Sequence, residues 1–321
     1  MRTLIFHDGA LGDVLLSLPC ITAVGRQGLP PDIVCRDDVG RLLRSSGVVH
    51  GAFSSDRGLF SSWYAGYPVD AARELVSRYD RVYVFTHREG SDLAMGIART
   101  IPDRQVIITV PPAGSRTHVA AFRLRQLPPA MRHAAPVRLF VAPAIGQQAR
   151  EVLALAGHDG QELIVLHPGS GGKLKCWPLM RYFSLAERMA EASGAFILFL
   201  SGPAEERPVK EQIEQFTRDR TAMAHIADAD LAIVSGMIAG SVLYIGNDSG
   251  ITHLAAAVGA PVIALFGPSD PVLWAPRGRS VRVAAAATLE GITADAVLAA
   301  AEETGTWNFC DRSRRDIRIY Q

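Results

Sequence analysis

Three loops of the chain combine glycines with charged or hydroxyl residues, and each follows a short hydrophobic segment. They are residues 7–13 (HDGALGD), residues 167–178 (HPGSGGKLKCWP) and residues 246–254 (GNDSGITHL). Glycines allow successive backbone N–H groups to converge on an anion, and a helix N-terminus adds the positive end of a dipole. Together the three loops predict that an anionic ligand binds at the ends of strands.

Asp13 closes the first loop, where the chain turns from a predicted strand into a helix that starts near Val14. This is the place of a helix N-cap residue, which stabilises a helix by about 1 kcal/mol. A carboxylate at a strand–helix turn can also act as a general base. The loop lacks the G-x-G-x-x-G fingerprint of dinucleotide-binding proteins. The residues alone leave both interpretations of Asp13 open.

The second loop places Gly169, Gly171 and Gly172 before two lysines, Lys173 and Lys175. This order suits a phosphate group that is bound by backbone amides and an ammonium group. It is not a Walker A loop, because that pattern needs a glycine at position 167 and a hydroxyl residue at position 174. An ordinary glycine-rich loop is the alternative interpretation.

The third loop leads into an alanine-rich helix, which Asp248 or Ser249 is expected to cap. The free N–H groups at the start of this helix would face a phosphate. His253 falls about one turn inside the helix, where it points either at the same ligand or, as a single helical histidine more often does, into the protein interior.

Short apolar runs alternate along the chain with longer segments of helical period. The strand candidates are 2–7, 32–36, 49–53, 81–86, 105–110, 162–166, 195–200, 242–246 and 261–266. Residues 178–193 carry apolar residues at i, i+3, i+4 spacing and predict a helix. Such alternation predicts parallel sheets with crossover helices, and ligands of such sheets bind at the carboxyl ends of the strands.

The alternation weakens between about 127 and 145, where prolines interrupt any helix or central strand, and it resumes at Leu163. We therefore expect an N-terminal α/β domain over 1–150, a proline-rich linker within 127–160, and a C-terminal α/β domain over 160–321. For residues 306–321 the pattern leaves two options open, a tail docked on the first domain or a frayed end.

Composition excludes several classes of protein. The 321 residues are 48% hydrophobic and 20% charged with a net charge of +1, so we expect a globular protein and no nucleic acid partner. No apolar run has the length of a secretory signal or a membrane span. Cys20 and Cys35 fall in hydrophobic segments and predict buried thiols, and no two of the four cysteines, including Cys176 and Cys310, form a metal clip. This usage fits a reducing cytoplasm.

Three stretches of the chain match the motifs of a known family. They are GALGDVLLSLP at 9–19, HPGSGG at 167–172 with KCWP at 175–178, and residues 246–268 with Asp270, Pro271 and Trp274 after them. In these stretches the chain resembles glycosyltransferase family nine, the bacterial heptosyltransferases and their relatives. The resemblance implies a GT-B fold, in which two Rossmann-like α/β domains with parallel sheets face a central cleft. The N-terminal domain receives the acceptor and the C-terminal domain binds the nucleotide sugar.

The resemblance also implies the chemistry and the residues that perform it. Family members are inverting enzymes that need no metal and no cofactor, since the nucleotide sugar is a co-substrate. Asp13 matches the catalytic base. The residues that match the donor site are Gly169, Ser170, Lys175, Asp248, Ser249, Gly250 and His253. An acidic residue, Glu205 or Glu206, is expected to contact the nucleoside.

The best-known reaction of the family moves heptose from an ADP donor to the lipopolysaccharide core. The partners expected here are therefore a nucleotide-sugar donor and an anionic glycolipid or glycan acceptor. The enzyme would be cytoplasmic, with peripheral contact at the inner face of the inner membrane. Asp8, where relatives often carry a neutral residue, and Cys176, where they often carry a basic one, depart from the family pattern. These departures bear on the sugar and on donor affinity.

Two other functions compete with glycosyl transfer. A sugar-nucleotide epimerase can use the same fold, but it needs several acid–base groups around the sugar, and the sequence shows no such set. A non-catalytic nucleotide-sugar-binding module would not need both Asp13 and Lys175. His7 and His87 end strands of the first domain and are assigned structural or secondary roles.

Arginines cluster in the second half of the N-terminal domain. The span holds Arg104, Arg116, Arg123, Arg125, Arg132, Arg138 and Arg150, with no acidic residue between the first and the last. Guanidinium groups pair well with phosphate and carboxylate oxygens. We expect Arg116, Arg123 and Arg125 to bind an anionic acceptor, and a solvated basic face is the alternative.

Overall fold

The computed structural model describes residues 1–132 and 138–303, together with the backbone of 319 and 320. The chain divides into two compact units, Met1–Phe140 and Val141–Gln321. The division lies inside the predicted linker and before the predicted end of the first domain at 150. Pro143, which suggests a break in the sequence, instead begins helix Pro143–Leu155 of the second unit. A proline is tolerated there because the first N–H groups of a helix have no intrahelical partner.

The N-terminal unit alternates strands and helices. Its elements are β1 (Thr3–His7), α1 (Leu11–Leu16), α2 (Leu18–Gly25), β2 (Asp32–Cys35), α3 (Asp37–Ser45), β3 (Ala52–Ser54), α4 (Ser61–Tyr64), α5 (Asp70–Ser77), β4 (Arg81–Phe85), α6 (Asp92–Thr100), β5 (Gln105–Ile108) and α7 (Val119–Arg125). The five strands form one parallel sheet in the order β3-β2-β1-β4-β5. The strand order reverses between β1 and β4, and such a switch point is where open α/β sheets bind ligands.

The C-terminal unit follows the same principle. Its elements are α8 (Pro143–Leu155), β6 (Leu163–His167), α9 (Leu179–Ser193), β7 (Phe196–Ser201), α10 (Arg207–Thr217), β8 (Met223–Ala227), α11 (Leu231–Ala239), β9 (Leu243–Asn247), α12 (Gly250–Val258), β10 (Val262–Phe266), α13 (Pro271–Trp274), β11 (Val281–Ala285), α14 (Ala294–Glu303) and β12 (Ile319–Tyr320). The sheet order is β12-β11-β10-β9-β6-β7-β8, and all pairings are parallel except that of β12. The switch point lies between β6 and β9.

Four single 3₁₀ turns lie between these elements, at Gly58–Phe60, Pro129–Met131, Lys173–Lys175 and Leu289–Gly291.

Each sheet packs its own core. In the N-terminal unit Phe6 and Trp63 are fully buried with ring centroids 5.8 Å apart. In the C-terminal unit Trp177 and Tyr182 pack edge to face at 4.9 Å. The inner strands β1, β6, β9 and β10 are buried throughout, as parallel strands covered on both faces are.

All nine predicted strands and the predicted helix at 178–193 are present, with ends shifted by a few residues. The prediction missed β8, β11 and β12. Residues of β8 and β11 are only partly buried because these strands lie toward the edges of their sheet, so their sequences lack a continuous apolar run. Cys20 and Cys35 are buried, as predicted. Cys310 and nearly all of the C-terminal tail lie outside the described residues.

Candidate functional site

Asp13 lies in the first turn of α1, and this position corrects the N-cap interpretation. The N-cap of α1 is Ala10, which makes no side-chain capping hydrogen bond. The helix begins earlier than the sequence indicated, so the Asp13 carboxylate extends from the helix instead of folding back on its amides. Gly9 allows this geometry, because a Cβ at that position would lie 2.4 Å from Cβ of Asp13. A glycine is therefore required where the loop passes the candidate base.

Charged and polar side chains of the N-terminal unit surround Asp13. Nη2 of Arg123 lies 3.4 Å from Oδ1 of Asp13, and Nε2 of His87 lies 3.9 Å from Oδ2. The Asp13 side chain is 18% exposed, so its carboxylate remains accessible to a reactant. His87 follows β4 and Asp13 follows β1, so the switch point of the sheet brings them together. A carboxylate that is partly exposed and held on one side is suited to accept a proton.

Two further ionisable groups lie beside Asp13, and burial shifts both. The Asp8 carboxylate accepts a hydrogen bond of 2.6 Å from Oγ1 of Thr86, while desolvation raises its pKa. His7 is buried, and desolvation together with the nearby Arg123 charge lowers its pKa well below the usual value. His7 is therefore neutral at pH 7, which agrees with the secondary role assigned to it.

Arg123 differs from the other two arginines of the predicted acceptor set. Its side chain is 1% exposed, and its guanidinium donates to the backbone oxygen of Asp13 at 2.7 Å and to Oγ of Ser17 at 2.8 Å. It therefore does not lie on an exposed basic face, and the expectation that it binds the acceptor directly is wrong. Arg123 is buried because it lies, like Val119 and Leu127, on the inner face of α7 and of the turn that follows this helix. Arg116 and Arg125 are exposed, as an acceptor-binding role requires.

In the C-terminal unit, the loop after β6 is anchored by buried side chains. The indole Nε1 of Trp177 donates to the backbone oxygen of Ile292 at 2.9 Å. Asn247, at the end of β9, accepts from the N–H of Trp177 at 3.0 Å and donates to the oxygen of Pro168 at 2.7 Å. Asn247 therefore positions the glycine-rich loop, a role that the sequence alone did not indicate. The sequence feature that could have indicated this role is the position of Asn247 at the end of a predicted strand, inside the third motif.

Lys175 and Asp248 form an ion pair at the β6–β9 switch point. Nζ of Lys175 lies 2.7 Å from Oδ2 of Asp248, whose side chain is 10% exposed while that of Lys175 is 43% exposed. Oγ of Ser170 donates to the backbone oxygen of Asp248 at 2.7 Å. Three residues predicted to bind the donor therefore meet, although they come from loops far apart in sequence.

The N-terminus of α12 lies next to this ion pair. Ser249 is the N-cap, and its Oγ accepts from the N–H of Thr252 at 3.4 Å, which fulfils the predicted cap. Gly250 begins the helix and leaves its amide uncovered by a side chain. His253 lies in the first turn and is 7% exposed. Its backbone N–H donates to the backbone oxygen of Ser249 at 3.2 Å. The helix therefore offers amides and a positive dipole end to an anion.

Glu205 lies against the glycine-rich loop. A Cβ at Gly169 would lie 1.7 Å from Oε1 of Glu205, so a side chain at this position would displace the carboxylate. Glu205 accepts a hydrogen bond from the N–H of Gly202, and burial raises its pKa. Glu206, the alternative nucleoside contact, instead pairs with the exposed Lys173 at 2.8 Å. Glu205 therefore lies against Gly169, whereas Glu206 lies at Lys173 on the exposed part of the same loop.

His167 and Cys176 also line the glycine-rich loop. Nδ1 of His167 lies 3.5 Å from Oγ of Ser249, and burial lowers the pKa of His167 to about 4. Burial raises the pKa of the Cys176 thiol, so this residue adds no charge to the loop.

Among residues 1–132 and 138–303, no group of three His, Cys, Asp or Glu side chains is placed to hold a metal ion. The described helices include none long and apolar enough to cross a membrane.

The C-terminal unit is similar in sequence to a known protein family. Residues 141–296 match the family model described as glycosyltransferase family 9 (heptosyltransferase). Lipopolysaccharide heptosyltransferase 3 of Escherichia coli is 30% identical over 135 residues, which cover 42% of this chain and 39% of that protein. The aligned part of the chain thus spans less than half the length of that curated relative.

Solved structures extend the likeness to both units. The Escherichia coli ADP-heptose lipopolysaccharide heptosyltransferase II has a TM-score of 0.75 at 19% identity, covering 95% of this chain and 98% of that one. UDP-GlcNAc 2-epimerase of Neisseria meningitidis is more distant, with a TM-score of 0.53 at 10% identity and 84% of each chain covered. The fold is therefore of GT-B type. Residues 141–296, just under half of the chain, are similar in sequence to the heptosyltransferases of glycosyltransferase family 9, and this match lies in the C-terminal unit.

Proposed function

We propose that this protein is an inverting glycosyltransferase that moves heptose from ADP-heptose to a lipopolysaccharide-core glycan. One observation carries the proposal: Lys175, the glycine-rich loop and the N-terminus of α12 converge at the β6–β9 switch point. A nucleoside diphosphate carries the charge that these groups complement. The sugar and the acceptor class are inferred from the heptosyltransferases that this chain resembles.

In the proposed donor complex, Lys175 and the amides at Ser249 and Gly250 bind the diphosphate, and Glu205 contacts the nucleoside. The Lys175 ammonium exchanges its contact with Asp248 for phosphate oxygens, because a diphosphate presents more negative charge than one carboxylate. These donors stabilise the charge that grows on the leaving group as the glycosidic bond breaks. His253 lines the sugar end of the same site.

Asp13 is the proposed base of a single-displacement reaction. Its carboxylate takes the proton of an acceptor hydroxyl while the hydroxyl oxygen forms a bond to the anomeric carbon of the donor sugar. The bond from that carbon to the diphosphate breaks, and its electron pair leaves with ADP. Configuration at the anomeric carbon is inverted because attack and departure occur on opposite faces. No metal takes part, since Lys175 and the helix amides oppose the leaving-group charge.

The proposed acceptor is an anionic glycolipid, which Arg116 and Arg125 bind through its phosphate or carboxylate groups. A lipid-linked acceptor would bring the enzyme to the inner face of the inner membrane, where it acts as a peripheral cytoplasmic protein. Each basic residue near anionic lipid adds about 1 kcal/mol of attraction.

The proposal is tested by product analysis. The protein is incubated with ADP-heptose, other ADP-, UDP- and GDP-sugars, and a lipopolysaccharide core that lacks heptose. Mass spectrometry should show an acceptor heavier by one heptose residue, formed together with an equal amount of ADP. Asp13→Asn should abolish most of this product. Asp70→Asn, at an exposed position in the first turn of α5, is the matched control and should not.

The two competing functions predict different products. An epimerase would convert the donor into an isomer of equal mass without release of ADP and without any change in the acceptor. A binding module would leave donor and acceptor unchanged while still binding the nucleotide. Either result would overturn the proposed transferase activity.

A further inference from the structure

A buried group of side chains holds Asp13 from the side that faces the protein interior. It consists of His7, Ser17 and Arg123, which are each at most 1% exposed. They come from the end of β1, the junction of α1 with α2, and helix α7. The sequence analysis gave these three residues no common role, and the proposed reaction does not use them directly.

The hydrogen bonds of this group end on the main chain of Asp13. Nη1 of Arg123 donates to the backbone oxygen of Asp13 at 2.7 Å and to Oγ of Ser17 at 2.8 Å. Oγ of Ser17 donates to the same Asp13 oxygen at 3.0 Å. Two donors thus fix the peptide unit that carries the candidate base.

The orientation of His7 completes the network. Its Nδ1 accepts the N–H of Gly9 at 3.1 Å, so in the neutral ring the proton lies on Nε2. Nε2 then donates to Oγ of Ser17 at 2.9 Å. The Ser17 hydroxyl therefore accepts hydrogen bonds from His7 and Arg123 and donates one to Asp13. These three bonds use the full hydrogen-bonding capacity of the hydroxyl.

Helix α1 needs such support. It has six residues, and its N-cap makes no side-chain hydrogen bond. A short helix without a cap frays readily, because its first N–H groups have no partner. A buried guanidinium is costly to desolvate unless its hydrogen bonds are well made. Here Arg123 bonds to Asp13 and to Ser17, and Ser17 itself donates to Asp13.

We propose that Arg123 is a positioning residue for the proposed base. It fixes the backbone of Asp13, and Nη2 holds Oδ1 at 3.4 Å, so that Oδ2 is the oxygen that takes the acceptor proton. Ser17 and His7 act through Arg123 and the Asp13 carbonyl. This inference rests on the proposed function, and it goes beyond it by assigning one carboxylate oxygen to the reaction and three buried residues to its placement.

The decisive experiment is a double-mutant cycle between Arg123→Met and Asp13→Asn. Methionine fills much of the arginine volume without charge, and replacing a buried charge by an apolar side chain of similar size often preserves the fold. Misplacing a reacting group by roughly 1 Å costs about 10²-fold in rate. We therefore expect Arg123→Met to lower kcat by about 10²-fold and to leave both KM values within about twofold of the parent.

In the Asp13→Asn background the same substitution should lower kcat by less than about threefold, because a positioning residue has no effect once the base is absent. Arg78→Met is the matched control, since Arg78 is an exposed arginine at the C-cap of α5 that pairs only with Glu74 among the described ion pairs. It should leave kcat unchanged. Ser17→Ala, which removes one donor to the Asp13 carbonyl, should reduce kcat by a smaller factor than Arg123→Met.

Folding is separated from positioning by circular dichroism, thermal midpoint and ADP affinity, measured on every variant. If Arg123→Met fails to fold, Arg123→Lys and Ser17→Ala carry the test in the same cycle with Asp13→Asn. Additive losses in the cycle, or a rise in acceptor KM with kcat unchanged, would overturn the positioning role. Wild-type turnover of Asp13→Asn, or no transfer from any donor, would instead overturn the proposed function and this inference with it.

Discussion

Nζ of Lys175 lies 2.7 Å from Oδ2 of Asp248, and this ion pair joins the loop after β6 to the loop after β9. Each residue follows a strand at the switch point of the C-terminal sheet. The two side-chain charges offset each other. In the proposed donor complex a diphosphate competes with Asp248 for the ammonium group, so its affinity should depend on both residues.

Lys175→Ala should weaken binding of ADP by about tenfold, the effect of losing one charge-assisted hydrogen bond. Adenosine should lose less than about twofold, because it lacks the charge that Lys175 faces. Isothermal titration calorimetry with both ligands measures the difference. Lys173→Ala is the comparison variant and should have a smaller effect, since Lys173 pairs with Glu206.

The double variant Lys175→Ala with Asp248→Asn should recover part of the ADP affinity, because the single variant leaves Asp248 unpaired and repelling the diphosphate. Equal loss of ADP and adenosine binding, or no recovery in the double variant, would contradict this account of the donor site.

Asp13→Asn should lower kcat by about 10²- to 10⁴-fold, because the amide cannot take a proton. Affinity for ADP should stay within about twofold, since Asp13 belongs to the N-terminal unit and the proposed donor site to the other. Initial rates of ADP release with saturating substrates measure the first quantity, and calorimetry the second. Turnover close to that of the parent would remove Asp13 from the mechanism.

Much of the fold could be predicted from the sequence. Buried parallel strands such as β6 and β9 are short, continuous apolar runs, and the glycine-rich loops mark where they end. The edge strand β8 and the penultimate strand β11 escaped prediction because they are only partly buried, so their residues need no such run.

The site was predictable in its residues but not in its contacts. Local patterns indicated the cap at Ser249, yet they placed Asp13 at a helix cap because Asp13 directly precedes the apolar run that starts at Val14, whereas α1 begins at Leu11. The burial of Arg123 depends on tertiary packing. Its spacing from Val119 and Leu127, four residues on either side, is the one local sign that it lies on an inward helix face.

The stability of the protein should fall with acid because His167 is buried in its neutral form, with a pKa of about 4 against the usual 6.5. The unfolded chain binds the proton at a higher pH than the folded one. Stability from this group is therefore present above pH 6.5 and decreases as the pH falls from 6.5 toward 4.

Between pH 7 and pH 5 this group should contribute about 2 kcal/mol to the change in unfolding free energy, from about 1.4 kcal/mol per pKa unit. Urea unfolding at the two pH values, with the parent and His167→Gln, measures it. The variant should show a smaller change. His50→Gln, at an exposed histidine, should behave as the parent, and an equal change in all three proteins would argue against the role of His167.

Transfer should proceed at an unchanged rate in excess EDTA. In the proposed mechanism Lys175 and the amides at the start of α12 oppose the charge of the leaving diphosphate, so no divalent cation should be required. Rates are compared with and without excess EDTA and after addition of manganese or magnesium. Loss of activity in EDTA, with recovery on adding a metal, would refute the metal-free mechanism.

The last prediction concerns the acceptor. Arg116 and Arg125 are exposed on the N-terminal unit, within a span that holds no acidic residue, whereas Arg123 between them is buried. The two exposed guanidinium groups are free to pair with phosphate or carboxylate oxygens of a glycolipid. Each such exposed pair contributes up to about 1 kcal/mol, so replacing both arginines by glutamine should raise the acceptor KM by about tenfold. The donor KM should stay unchanged, and the parent enzyme should lose acceptor affinity with added salt because exposed charges are screened. The control is Arg78→Gln with Arg218→Gln, two exposed arginines at the C-caps of α5 and α10, outside the span. An acceptor KM that does not change at low salt would show that Arg116 and Arg125 form only a solvated basic surface.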